Sequence, residues 1–366
     1  MMFYRGTQFA EPDARLAQAK SLVEFVSESA HGPDSPYRQL LRTELKQLGK
    51  MSDHYLHHEY LEEHNQPLYF HQFAKKLSVN GLQFLGEADF SMMISTNFSA
   101  EVAKTLHQIG AHDILQMEQY MDFVRRRYFR KSLICHNGAR LNRALDASIV
   151  KGLLLASNAA PATGKPAPTP VDPVIYETPA GNKLTCKAPL TKIAMRVLQR
   201  EWPMPVVFAD LLAHSMREAA AADHPAVEHS EDFLAGELLI GMSAGVVEWR
   251  LGPPPFTTSV GDRPAATPLA RLQAGQGYRA TNLRGEMITL DEIHRQTLKQ
   301  LDGRTDLATV TEGLIGSLKD GQMVLHRDGD EATITDEKEM RAVLGPALEK
   351  VLTNLARQAF FLSAAR

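Results

Sequence analysis

Histidines are concentrated in the first part of the chain, and their spacing raises the question of a metal site. Eight of the fourteen histidines lie between His54 and His136, and His54, His58 and Glu62 follow one another at four-residue intervals. Two histidines and a carboxylate on one helix face are ligands of helical zinc sites. The motif HExxH is incomplete, because Glu59 follows His58 but Glu62 occupies the position of the second histidine. We therefore expect a polar helix face and no metal site.

The densest basic cluster is RRRYFRK, from Arg125 to Lys131. Its interleaved Tyr128 and Phe129 are residue types on which nucleic-acid bases stack. Helical spacing favours another interpretation, since Phe129 and Leu133 are i, i+4 partners suited to a core. The arginines would then lie on the outer faces of the helix. We expect a solvated or domain-interface surface here.

Other short motifs do not indicate a reaction centre. Gly275 and Gly277 form a loose match to a dinucleotide fingerprint, but the residues before them do not resemble a buried strand. We expect a loop there. Cys135 and His136 are adjacent, but neighbours in sequence do not make a nucleophile and its base. We expect Cys135 to be a buried helical cysteine. The residues by themselves therefore predict no catalytic residue, no cofactor-binding residue and no metal ligand.

Composition indicates an ordinary globular protein. The chain has 366 residues, 44% hydrophobic and 23% charged, with a formal net charge of −3. Affinity for nucleic acid or an anionic membrane needs an excess of positive charge, so we expect neither partner. Two distant cysteines exclude a disulfide framework, and no apolar run is long enough to span a membrane. The N-terminus lacks the apolar region of a signal peptide, which favours a cytoplasmic location.

Apolar spacing predicts a helical domain over residues 1–150. Helices are expected from Pro12, from Ser35, from about Ser52, from Ser99 to Gly110 and from Asp113 to Cys135. Alternation with a period of two is almost absent from this half. A linker is predicted over 151–174, because residues 157–173 are rich in proline and alanine and have no apolar face.

The second half changes to mixed helix and strand. A hairpin with Gly181 in its turn precedes three predicted helices and a strand ending near Trp249, an order that predicts a winged-helix-like domain over 175–260. Residues 261–366 are predicted to form an α+β extension, with a hairpin tip at Asp328-Gly329 and a long final helix. The fold class expected is mainly α, a helical middle domain followed by a winged-helix-like α+β C-terminal region.

Two long stretches resemble a known family. Residues 55–90, YLHHEYLEEHNQPLYFHQFAKKLSVNGLQFLGEADF, and residues 113–136, DILQMEQYMDFVRRRYFRKSLICH, resemble the predicted regulatory domain of class I AdoMet-dependent methyltransferases. The later motifs resemble the C-terminal winged-helix region of bacterial protein lysine methyltransferases: PLTKIAM (189–195), GPPPF (252–256), ATPLAR (266–271), TNLR (281–284) and LDGRTD (301–306).

The resemblance implies a regulatory or substrate-recognition region whose partner is a methyltransferase catalytic domain, in cis or in trans. Family members carry the AdoMet-binding fold upstream with a glycine-rich turn, and we expect that domain to be absent from this chain. AdoMet is implied for the catalytic domain alone. A protein substrate and a homodimer are further partners left open. Two alternatives remain: a complete methyltransferase of which this sequence is a truncated record, and a winged-helix transcriptional regulator.

Within the first matched stretch, Asn65 and Gln66 are expected to tie a junction between helices through backbone hydrogen bonds. Tyr69, Phe70 and Phe73 are expected to be buried. Glu87 is expected in a loop that faces a partner domain or substrate. The interaction candidates are His58, Glu59, Asn65, Gln66, Tyr69, His71 and Glu87.

Overall fold

The structure is a computed structural model, and it describes residues 1–29, 32, 35–110, 113–163, 172–222, 230–324, 334 and 336–363. The chain divides into two compact units. The first contains Met1–Gly81 and Asp113–Gln119, and the second contains Leu82–His112 and Tyr120–Arg366. No helix in the described part of the chain is both long and apolar enough to cross a membrane.

The first unit is helical, as apolar spacing predicts. Its helices are α1 (Met2–Gly6), α2 (Pro12–Ser29), α3 (Pro36–Leu48), α4 (Asp53–Tyr60) and α5 (Phe70–Val79). Ser35 caps α3 and Ser52 caps α4, each hydroxyl accepting a hydrogen bond from a backbone N–H of the first turn. The core consists of Met2, Leu16, Ala19, Val23, Leu48, Leu56 and Leu61.

In the second unit, two strands that apolar spacing does not predict interrupt the helical half of the chain. Strand β1 (Leu82–Glu87) is followed by α6 (Ala100–Gly110), α7 (Ile114–Arg125) and β2 (Ser132–His136). The strands pair antiparallel, with a bulge between Phe84 and Gly86. The predicted helix from Asp113 to Cys135 therefore ends ten residues early, at Arg125, and Cys135 lies in a strand.

The next part of the second unit surrounds an apolar core. A 3-10 helix (Ala147–Gly152) leads into the following elements: β3 (Leu154–Ala156), β4 (Ala160–Pro161), β5 (Val174–Glu177), β6 (Lys183–Cys186), α8 (Pro189–Glu201), β7 (Val206–Val207), α9 (Phe208–Ala221), α10 (Ser230–Ser243) and β8 (Glu248–Arg250). The predicted hairpin is confirmed as β5 and β6, with Gly181 at a φ of +88° in its turn. The three predicted helices before a strand are confirmed as α8, α9 and α10 before β8.

Two small sheets organise these helices. One has the strand order β7-β3-β8 and the other β4-β5-β6, and every pairing in them is antiparallel. Ala160 and Pro161 pair with β5, so the start of the predicted linker lies in a sheet. Residues 164–171 of that linker lie outside the described residues.

The C-terminal part has a second core. Its elements are β9 (Phe256–Thr257), α11 (Pro268–Gln276), β10 (Arg279–Thr281), β11 (Met287–Thr289), α12 (Glu292–Gln300), α13 (Leu307–Lys319), α14 (Glu337–Arg357) and β12 (Phe361–Leu362). Gly275 lies in α11, so the loop expected around the paired glycines is instead a helix end followed by a strand. The long final helix is confirmed as α14. The predicted tip at Asp328-Gly329 lies outside the described residues.

Arg284, in the TNLR motif, joins the two cored parts of the second unit. Its Nη2 donates to both carboxylate oxygens of Glu248, at 2.9 and 3.0 Å, and its Nε donates to Glu286 at 3.0 Å. The guanidinium group also lies 4.3 Å from the ring centroid of Trp202. The TNLR motif therefore has a structural role, because its arginine holds β8 and the loop after β10 together.

Candidate functional site

Glu87 is the most strongly organised of the predicted site residues. Its carboxylate is fully buried, and it accepts hydrogen bonds from Arg127 Nη2 at 2.8 Å, Arg130 Nη1 at 2.7 Å, Ser132 Oγ at 2.7 Å and the backbone N–H of Lys131 at 3.1 Å. Burying a carboxylate costs free energy unless it is paired with a positive charge and hydrogen-bonded. Here two guanidinium groups provide the charge, and four donors provide the hydrogen bonds. The expectation that Glu87 lies in a loop facing a partner is wrong.

Asp122 completes this cluster. Arg130 donates to it through Nε and Nη2, each at 2.8 Å, and Arg127 Nη1 lies 3.7 Å from its Oδ1. Two carboxylates thus face two guanidinium groups, so their formal charges cancel. All four side chains are almost entirely buried. Buried ion pairs contribute little net stability, but they favour one arrangement of the groups that carry them.

The arrangement held in place is the arginine loop, which we define as residues 126–131. It begins where α7 ends, with Arg126 at a φ of +50°. The backbone N–H of Arg127 donates to the carbonyl of Asp122 at 2.9 Å, and Arg127 Nε donates to the carbonyl of Phe129 at 3.1 Å. A non-glycine residue in the left-handed region is uncommon and needs surrounding contacts to hold it. The buried cluster supplies those contacts.

The sequence interpretation of this segment is therefore wrong in its geometry. Phe129 and Leu133 are both exposed and do not form a helical core pair, while Arg127 and Arg130 are buried. The loop instead leaves Tyr128 93% exposed and Phe129 54% exposed. Beside it lies an open depression of about 330 Å³, lined by Asp89, Met92, Arg125, Arg126, Arg127, Tyr128, Phe129 and Lys131.

Arg125 holds the other side of the depression. Its Nη1 donates to the carbonyl of Met92 at 2.5 Å, its Nη2 donates to the carbonyl of Ile94 at 3.4 Å, and its guanidinium lies 4.3 Å from the ring centroid of Phe98. These hydrogen bonds connect the end of α7 to the segment that contains the short 3-10 helices Phe90–Met93 and Ser95–Asn97. Both walls of the depression are thus held by buried or half-buried arginines.

The remaining candidates lie in the first unit, where the histidine face is exposed. His58 Nδ1 is 3.7 Å from Glu62, and the rings of His54 and His58 meet edge to face at 4.6 Å. Among the described residues, no group of three histidine, cysteine, aspartate or glutamate side chains is arranged to hold a metal ion. Glu59 takes part through its backbone, since its carbonyl accepts a hydrogen bond from Asn65 Nδ2 at 2.5 Å.

The junction before α5 agrees partly with expectation. Asn65 makes the predicted backbone hydrogen bond, Gln66 is exposed, and Phe70 is buried. Tyr69 is 58% exposed, so the prediction that it is buried is wrong. It precedes α5 as the N-cap, and its ring stacks on that of His71 at 5.7 Å. Two separate hydrogen bonds of 3.0 Å, from the backbone N–H and Nδ1 of His71, join Gln119 Oε1.

Sequence reasoning missed Asp122, Arg127 and Arg130 as members of one site. Local sequence carries no signal for them, because residues 132–136 form a strand without alternating burial, and this strand turns the arginines back towards β1. Glu87 and Arg130 are 43 residues apart, so local spacing does not reveal their pairing.

Comparison with known proteins identifies two domains in the chain. Residues 52–136 match the family model of the predicted methyltransferase regulatory domain, and residues 262–360 match that of the PKMT C-terminal winged helix domain. Over these two segments the chain is thus similar to a methyltransferase regulatory domain and to a PKMT-type winged-helix domain. The winged-helix match lies within the segment expected to be an α+β extension, C-terminal to residues 175–260.

Particular relatives come from Rickettsia. An uncharacterized protein of Rickettsia prowazekii (strain Madrid E) is 28% identical over 97% of this chain, and the chain spans 65% of that protein's length. A second uncharacterized protein of the same organism is 38% identical over 76 residues, covering 21% of this chain and 30% of its own length.

Solved structures show the same fold. PKMT2 from Rickettsia typhi in complex with AdoHcy superposes with a TM-score of 0.78 at 23% identity, covering 99% of this chain and 71% of that chain. A second structure of PKMT2 from Rickettsia typhi has a TM-score of 0.79 at 22% identity, covering 95% of this chain and 69% of that chain.

Proposed function

We propose that this chain is the regulatory and substrate-recognition region of a class I AdoMet-dependent protein lysine methyltransferase. Methyl transfer itself is assigned to a catalytic domain that acts with it in cis or in trans. The observation that carries the proposal is the presence of both domain matches on one chain, at residues 52–136 and 262–360. The match to PKMT2, a protein solved with AdoHcy, supports the same assignment.

The strand arrangement supports a role other than AdoMet binding for the described residues. Dinucleotide-type folds bind their ligand at the carboxyl ends of parallel strands, beside a glycine-rich turn that follows a strand. Each strand pairing in the described part of this chain is antiparallel.

The paired glycines do not fit an AdoMet site either. Gly275 lies inside α11 and Gly277 follows the end of that helix, so a helix precedes them where a strand is required. AdoMet therefore belongs to the catalytic domain in this proposal. We assign no methyl-transfer step to residues of this chain.

Cofactor binding and methyl transfer test the proposal together. Titration of AdoMet into the purified chain should release no saturable heat. Adding the part of the Rickettsia prowazekii relative that lies outside its alignment with this chain should restore AdoMet binding. The mixture should also transfer labelled methyl groups to protein lysine faster than that part alone. Micromolar AdoMet binding by this chain alone contradicts the proposal, as does an unchanged methylation rate in the mixture.

Duplex DNA binding is the competing role. For residues 175–260, which the sequence predicts to be winged-helix-like but which lie outside the PKMT winged-helix match at 262–360, the charge on α10 disfavours it. DNA-reading helices present lysine or arginine to phosphates. Helix α10 begins with Glu231 and Asp232, which both pair with Lys151, at 3.2 and 2.7 Å. We expect no salt-sensitive duplex binding at sub-micromolar affinity. Such binding, if Arg250→Gln removed it, would favour a transcriptional regulator instead.

A further inference from the structure

We propose that the depression beside the arginine loop binds an acidic segment of the methyl-accepting protein, with a carboxylate near Arg126 and Lys131 and an apolar side chain against Tyr128 and Phe129. The inference rests on the proposed function, since it names the kind of polypeptide that the regulatory domain recognises. It is carried by the charges, the exposed rings and the rigidity of residues 126–131.

The cations of the arginine loop fall into two groups. Arg127 and Arg130 are buried, and Glu87 and Asp122 neutralise them. The side chains of Arg126 and Lys131 are exposed, and among the described residues neither side chain forms a hydrogen bond or an ion pair. Two uncommitted positive charges therefore face solvent at the depression. A ligand carboxylate is the group that complements them.

One carboxylate of this chain also lines the depression. Asp89 is exposed and accepts a hydrogen bond from Ser91 Oγ at 2.7 Å. Its single charge leaves Arg126 and Lys131 in excess. The site therefore favours a segment with few acidic groups rather than a polyanion.

The aromatic rings are presented on a rigid support. Tyr128 is the more exposed of the two, and the carbonyl of Phe129 is held by Arg127 Nε, whose guanidinium is anchored on Glu87. Aromatic residues and arginine are enriched in protein interfaces, and a loop that is already ordered loses little entropy on binding. The buried cluster thus serves to hold an exposed recognition surface in one conformation.

The neighbouring surface favours a polypeptide over nucleic acid. The exposed apolar side chains of Phe123, Val124 and Leu133 belong to the elements that flank the loop. Single-stranded nucleic acid requires a continuous cationic groove along its backbone. An extended peptide can place alternating acidic and apolar side chains on a surface of this mixed kind.

Fluorescence anisotropy with a labelled peptide tests the site on the full chain. The probe is the peptide GSDFELQGS, with two acidic side chains, and its matched neutral form is GSNFQLQGS. We expect saturable binding of the acidic probe and binding of the neutral form that is weaker by about five- to tenfold, as two solvent-exposed charge pairs would give. Raising the salt concentration should reduce the difference between the two peptides.

Variants on the surface locate the binding. Arg126→Gln with Lys131→Gln should weaken binding of the acidic probe by about five- to tenfold and leave the neutral probe unchanged. Tyr128→Ala should weaken both probes by about fivefold or more, because an aromatic anchor is lost. The matched control is Lys104→Gln with Arg140→Gln, which removes two exposed cations away from the depression and should change neither affinity.

Several outcomes overturn the inference. The first two are no saturable binding of the acidic probe and equal binding of both peptides. The third is loss of acidic-probe binding in the control variant. The fourth is an oligothymidylate that binds more tightly than the acidic probe and whose binding the Arg126 and Lys131 changes remove. The proposed function fails separately, in the methylation mixture. A chain that stimulates methylation but does not bind the peptide keeps the proposed function and loses this site. Because the altered side chains are exposed, unchanged unfolding midpoints should confirm that each variant is folded.

Discussion

Arg130 and Asp122 form a bidentate ion pair, in which Nε donates to Oδ2 and Nη2 donates to Oδ1, both at 2.8 Å. The third guanidinium nitrogen, Nη1, reaches Glu87 at 2.7 Å. One planar side chain thus connects the end of α7 to β1. A lysine cannot reproduce this geometry, because its ammonium group is a single point of charge.

Arg130→Lys should therefore destabilise the protein by about 1.5–3 kcal/mol, since charge-assisted hydrogen bonds to buried carboxylates are lost. The matched control is Arg126→Lys in the same loop, where the side chain is exposed and a change within about 0.5 kcal/mol is expected. Urea unfolding monitored by circular dichroism measures both. Equal unfolding free energies for the two variants would show that the bidentate hydrogen bonding of Arg130 contributes nothing to stability.

The helices of this chain could be predicted from sequence because their evidence is local. Ser35 and Ser52 are caps, Gly81 has a φ of +71° after α5, and the apolar residues of α2 recur at helical intervals. These features depend on neighbours within a few residues. The same holds for α14, whose N-cap is Asp336.

Strands β1 and β2 could not be predicted in the same way. Leu133 and Ile134 are adjacent, apolar and both exposed, so β2 shows no alternation between a buried and a solvated face. In β1 the bulge at Leu85 interrupts the period of two. Without the strands, the sequence indicates no partners for Glu87, and helical spacing predicts a helix over the arginine loop. The ion pairs of this site depend on tertiary pairing that local spacing does not contain.

Helix α10 contains two glycines with opposite surroundings. A Cβ at Gly241 would lie 2.7 Å from Val247 Cγ2 and 3.3 Å from Leu184 Cδ2, whereas a Cβ at Gly236 would meet nothing within 4 Å. Gly241→Ala should destabilise by about 1–3 kcal/mol through overpacking. Gly236→Ala should stabilise by up to about 1 kcal/mol, because alanine is the better helix former. Urea unfolding of the pair checks the sign, and a stabilising Gly241→Ala would contradict the close packing of α10 on Val247.

The two cysteines should differ sharply in reactivity. Burial raises the pKa of the Cys186 thiol to about 12, and its side chain lies within the large apolar core. The thiolate is the reactive form, so Cys186 should be inert in the folded protein. Cys135 is half-buried on β2. A thiol-reactive chromophore should modify Cys135 alone under native conditions and both residues in denaturant.

Cys135→Ser should abolish the native reaction, and Cys186→Ala should leave it unchanged. Native labelling of Cys135→Ser at the wild-type rate would mean that the core around Cys186 opens readily.

Glu337 should make the packing of α13 against α14 sensitive to acid. Its carboxylate accepts from Lys319 Nζ at 2.6 Å and from Arg341 Nη2 at 2.8 Å, and Arg341 also pairs with Glu312 on α13. These hydrogen bonds lower the pKa of Glu337 from 4.5 to about 2. Because the pKa is lower in the folded than in the unfolded chain, the stabilisation is fully present above about pH 4.5 and is lost as the pH falls towards about 2.

The test is the difference in melting temperature between the wild type and Glu337→Gln. The wild type should melt higher at about pH 6, and most of the difference should be lost near pH 2, where about half of the folded wild-type carboxylate is protonated. High salt should reduce the difference at about pH 6, since these charges are exposed. Lys338→Gln, a neighbouring cation outside the network, is the control and should show no such pH dependence. A difference that stays constant over the whole range would mean that Glu337 acts through packing rather than through its charge.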